Sequence, residues 1–182
     1  MLDYLSGTPR RLDVGFVPAA SGGQFHFWQD EEQHNCFIVI NGYAPDIDTS
    51  DRIETSALII GVGCVQSVVG YPNEDAFWKD PRGELGHGCF EIEDSKWQAN
   101  IDDYNRRSFG DHYRHGGPQL HHYFVGSKDG SCQILASSLE VELFPGRPWW
   151  EIVRIVYQRQ AARFAETLRV IRQRQEHSPR PE

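Results

Sequence analysis

From residue 153 onward the chain repeats an apolar side chain at Val153, Tyr157, Ala161, Phe164, Leu168 and Ile171, with spacings of 4, 4, 3, 4 and 3. That period is close to the 3.6 residues of an α-helical turn, so these side chains form one stripe about five turns long. Pro145 and Gly146 break the chain just ahead of it, and Pro148 falls where a first helical turn tolerates a missing amide. A helix this long with one oily face has to lay that face on something, and the rest of the chain reads as a pleated scaffold.

Leu12 to Val17, Gln24 to Gln29 and Asn35 to Tyr43 are short, aromatic or β-branched, and separated by glycine-rich or charged turns, as in a strand meander. Ser56 to Val69 is almost uncharged and longer than an ordinary strand, which predicts one long, bent central strand with Gly61 or Gly63 at a bulge. Gly88 to Asp94 gives another strand. Asp94 or Ser95 then caps a helix reaching about Arg107, whose apolar face holds Trp97, Ile101 and Tyr104. Leu120 to Gly126 and Cys132 to Phe144 flank Ser127-Lys128-Asp129-Gly130, where Asp-Gly supplies the positive φ angles of a tight hairpin. The expected class is α+β: a mostly antiparallel sheet of about six or seven strands, one mid-chain helix, and a long C-terminal helix packed on the sheet. At 182 residues the length fits one domain, expected over residues 1–176 with a frayed tail at 177–182.

Cys36, Cys64, Cys89 and Cys132 are widely separated and lack zinc-knuckle spacing, so they read as buried, reduced thiols. No run approaches the roughly eighteen apolar residues of a membrane span, and Met1 to Pro9 lacks a signal-peptide pattern, so a cytoplasmic chain is expected. Charge is segregated. Residues 1 to 146 hold 10 Lys and Arg against 22 Asp and Glu, a formal −12, whereas residues 147 to 182 hold 8 against 4, or +4. An acidic body disfavours nucleic acid, and Arg154, Arg159, Arg163, Arg169, Arg172 and Arg174 fall on several helix faces rather than one stripe.

Gly70-Tyr71-Pro72-Asn73-Glu74-Asp75-Ala76 reads as a stop after a buried strand followed by a short helix carrying Phe77 and Trp78. This segment, the aromatic strand ending in Glu91, Ser95-x-Trp97, Asn105-Arg106 and Leu139-Glu140-Val141-Glu142 resemble a group of small bacterial proteins. The resemblance covers residues 70 to 143; it implies a bacterial, intracellular origin and a shared architecture, and carries no activity or catalytic residue with it.

Three sets of residues are candidates for chemistry. His112, His115 and His121, with Asp111 beside them, are the residue types that bind zinc, nickel or copper. His121 and His122 would point to opposite faces of a strand, so at most one joins the loop histidines. Glu91, Glu93, Asp102 and Asp103 near His87 could act as acid–base carboxylates if two of them converge. The four acids Asp46, Asp48, Asp51 and Glu54 lack the central glycine and terminal glutamate of a calcium loop and read as a solvated connection. Phosphate loops, nucleophile elbows and His-Glu-x-x-His are all missing from the sequence.

The preferred expectation is therefore a non-enzymatic protein-interaction module, immunity-like or an accessory subunit of a bacterial system, with no cofactor. Its interface candidates are Trp149, Trp150, Arg154, Tyr71 and Trp78, aromatic or arginine anchors of the kind that dominate interfaces. Another protein is the expected partner, a homo-oligomer is an open possibility, and membrane or nucleic-acid partners are not expected. The alternative is a small metal-dependent hydrolase using a transition metal held in the His112–His122 region, with Glu91 or Asp111 as base.

Overall fold

The computed structural model describes residues 6–19, 25–30, 34–45, 51–70, 85–110, 119–128 and 130–176. Along the described residues the elements are β1 (Thr8–Arg11), β2 (Val17–Pro18), β3 (His26–Asp30), β4 (Asn35–Pro45), β5 (Arg52–Val62), β6 (Gln66–Gly70), β7 (Gly88–Glu93), α1 (Lys96–Phe109), β8 (His121–Ser127), β9 (Gly130–Ala136), β10 (Ser138–Pro145) and α2 (Trp149–Glu176). The chain is α+β with antiparallel pairing throughout, as its alternating patterns predict. The strands form two sheets of 5. The first is ordered β1-β7-β8-β9-β6 and the second β10-β5-β4-β2, with β3 also paired to β4.

The two sheets face each other. Cys36, Ile38 and Ile40 of β4 and Ala57 and Ile59 of β5 interdigitate with Val125 of β8 and Cys132, Ile134 and Ala136 of β9, all excluded from solvent. Alternation along each strand then fixes the outer faces. Phe37, Val39 and Leu58 point away from the sandwich and are closed by Ile152 and Val156 of α2. Burying each of those two helix side chains is worth roughly 1.5–3 kcal/mol, which is what holds α2 to the second sheet. The outer face of the first sheet carries Phe90, Ile92 and Phe124 with Leu85, and α1 adds Trp97, edge-on to His122 at 4.9 Å.

The segment Ser56 to Val69 is not one bent strand. Gly63, at φ 61°, turns the chain after β5, and β6 continues in the other sheet. Cys132 to Phe144 divides likewise at Ser137, whose amide and hydroxyl both donate to Val62 O, at 2.8 and 2.7 Å. The two breaks lie side by side. A single antiparallel ribbon thus pairs β5 with β10, folds over at Gly63 and Ser137, and pairs β6 with β9, which gives ten strands in two sheets among the described residues. No helix among the described residues is long and apolar enough to cross a membrane.

Candidate functional site

The entry to α2 is fixed by backbone. Gly146, at φ 67°, donates its amide to Glu54 O at 2.9 Å, and Ser56 Oγ donates to Arg147 O at 2.7 Å. The helix then starts at Trp149, with Pro148 O accepting from the Glu151 amide at 3.0 Å. Trp149 stacks on His26 of β3 with centroids 3.9 Å apart and planes 13° from parallel. Trp28, two residues along β3 and on the same face, sits between Phe37 and Tyr157, each centroid 5.5 Å away. His26 Nε2 and Trp28 Nε1 are buried with no hydrogen-bond partner among the described residues, and burial lowers the His26 pKa. Arg159 Nη1 closes the docked portion with bonds of 2.8 and 2.9 Å to the Glu142 carboxylate on β10.

Beyond Arg159 the stripe has no cover among the described residues. Phe164 is 60%, Leu168 39% and Ile171 45% exposed, although they continue the face that Val153 and Tyr157 begin. The helix packs on the sheet as the sequence predicts, but the side chains it buries fully there are Ile152 and Val156, which lie beside the stripe, and Tyr157 of the stripe is already 57% exposed within the docked turns. Of the interface candidates, Trp149 is half-buried on His26, Trp150 is 52% exposed and Arg154 is exposed, while residues 71 and 78 lie outside the described residues. The anchors that sequence reasoning missed are His26 and Trp28. Their signal was the one-residue alternation within Gln24 to Gln29, which puts both on one face.

A second cluster lies at one end of the first sheet. His121 Nδ1 donates to Glu91 Oε1 at 2.6 Å, Arg10 pairs with the other Glu91 oxygen, and Arg10 Nε donates to Glu93 at 2.7 Å. Tyr123 lies against His121, and burial together with the Glu91 charge raises its pKa. Both Glu91 oxygens are engaged, so the arrangement is a carboxylate bridging an imidazole and a guanidinium. His122, on the opposite face of β8, is buried; Gln133 Oε1 accepts from its Nε2 at 3.2 Å, and Nδ1 therefore accepts from Ser95 Oγ at 2.8 Å. Burial pushes its pKa down to about 4, which keeps that neutral tautomer at pH 7. Ser95 is the N-cap residue of α1, yet its hydroxyl goes to His122 and makes no cap bond.

Residues 111, 112 and 115, the other proposed metal ligands, lie outside the described residues, and among the described residues no three His, Cys, Asp or Glu side chains are grouped to hold a metal ion. Cys36, Cys64, Cys89 and Cys132 are all free and buried, and desolvation pushes the Cys89 thiol up to about 12. A half-open recess of about 300 Å³ beside the α2 entry is lined by Asn41, Tyr43, Glu54 and Arg147 among others, with the Asn41 side-chain amide 3.0 Å from Ser56 Oγ. Comparison with known proteins found no matching family model, curated protein or solved structure.

Proposed function

We propose that the chain is a protein-interaction module, an immunity-like or accessory subunit of a bacterial system, whose contact surface is the part of α2 beyond Arg159. The observation that carries this reading is the exposure of Phe164 at 60%, Leu168 at 39% and Ile171 at 45% along a single helix face. Contiguous exposed apolar surface of this kind marks binding sites, because water is released when a partner covers it. The stacked pairs His26–Trp149 and Trp28–Tyr157 support it, since they hold the base of the helix and pre-organise the rest. Charge supports it too: the stretch from Arg159 to Glu176 carries five Arg and two Glu, which favours an acidic partner surface.

Photo-crosslinking tests the reading. A benzophenone side chain at position 164 or 168, introduced into the full chain in cells expressing it, gives a discrete protein adduct, while the same probe at exposed Arg154, on the docked part of the helix, gives none. Absence of any adduct from both stripe positions overturns the proposal.

A further inference from the structure

We infer that the occupant of this face is a second copy of the chain, bound through α2 in an antiparallel, two-fold symmetric pair centred near Glu166. This rests on the reading of α2 as a contact surface and specifies the partner.

Past the docked turns the stripe keeps strict alternate spacings of 4 and 3 at Tyr157, Ala161, Phe164, Leu168 and Ile171. A sustained 3.5-residue average is the period of helix-on-helix pairing, in which each apolar knob enters a hole on a facing helix. Superimposing the stripe on its own reverse about residue 166 sets Phe164 against Leu168 of the other copy and Ala161 against Ile171. Large meets medium and small meets large in every such layer, so the seam fills without a void. The flanks carry no like-charge conflict: Ala165 meets its own counterpart on one side and Thr167 on the other, and Gln158 faces Arg172.

Charge decides the direction. A parallel pair would bring two bodies of formal −12 side by side. An antiparallel pair places them at opposite ends and delivers the Arg-rich end of each helix toward the other copy's acidic body, where exposed Glu140 of β10 lies two residues from Glu142, the carboxylate that Arg159 holds at the base of α2. The contact is isologous and therefore closes as a dimer.

Sedimentation of the purified full chain over the micromolar range tests this, alongside Leu168→Glu and Ala165→Cys. The wild type sediments as a dimer, and Leu168→Glu weakens association by at least about a hundredfold while keeping its circular dichroism and melting temperature, because position 168 is not part of the fold's core. Under mild oxidation Ala165→Cys forms an interchain disulfide, since antiparallel pairing sets the two 165 side chains on the same flank of the seam within one turn of each other, whereas a parallel pair sets them on opposite flanks. A monomer at every concentration, a dimer indifferent to Leu168→Glu, or a dimer in which Ala165→Cys never links overturns the inference. A monomer that still gives a heterologous adduct from position 164 leaves the contact-surface reading standing; a monomer with no adduct ends both.

Discussion

The indole of Trp149 lies flat on the imidazole of His26, 3.9 Å centroid to centroid, and this stack joins the start of α2 to the edge strand β3. Its neighbour Trp150 is 52% exposed. Two adjacent tryptophans therefore have different energetic roles. Trp149→Ala is expected to destabilise by about 2–3 kcal/mol, somewhat below the roughly 3–5 of a fully buried aromatic, and Trp150→Ala by no more than about 0.5. Urea unfolding of the two variants checks this, and hydrogen exchange should rise across the first turns of α2 only in Trp149→Ala.

His122 makes stability depend on pH. Its folded pKa, about 4, lies below the unfolded value of 6.5, so the unfolded chain takes up the proton more readily. Stability is fully present above pH 6.5 and is lost as pH falls toward 4, a decline on the order of 3 kcal/mol from this group. His122→Gln, which keeps polar partners for Ser95 and Gln133 without a titrating ring, should be less stable at pH 7 but should flatten the slope. Equal slopes in both proteins between pH 7 and pH 4.5 would show that protonation of His122 does not govern it.

Gly61 of β5 lies between its cross-strand partner Cys36 and Ile134 of the facing sheet. A Cβ there would come within 2.6 Å of Cys36 Sγ and 2.7 Å of Ile134 Cδ1, whereas one at Gly86 meets nothing within 4 Å. Gly61→Ala is expected to cost about 1–3 kcal/mol through overpacking, and Gly86→Ala close to nothing. The difference between their denaturation midpoints measures the fit between the sheets.

All four thiols are buried. A disulfide-exchange reagent should therefore label the native protein only at the rate of unfolding, and should titrate four thiols at once in denaturant. Rapid labelling of even one cysteine under native conditions would contradict the packing around it.

Much of the architecture was legible in the chain. The β8–β9 hairpin falls where the sequence predicts it, with Ser127 opposite Gly130, and Asn35 to Tyr43 falls within β4. The sheet-to-sheet crossing at Gly63 and Ser137 was not legible, because an apolar run looks the same whether it stays in one sheet or passes into another; only the partner strands distinguish them. The candidate site was legible in composition and hidden in geometry. Glu91 and His121, thirty residues apart, were named together only as base and ligand of a metal site; their direct 2.6 Å contact came from the pairing of β7 with β8.

Sequence by itself determined the local grammar: where strands alternate, where turns demand glycine, and that residues 149 to 176 form a helix with one apolar stripe. Tertiary structure alone decided that Ile152 and Val156 are buried while Phe164 and Leu168 are not. Periodicity is a property of neighbouring residues, whereas burial depends on which face of the helix meets the sheet and along which turns, and that is set by strands distant in the chain.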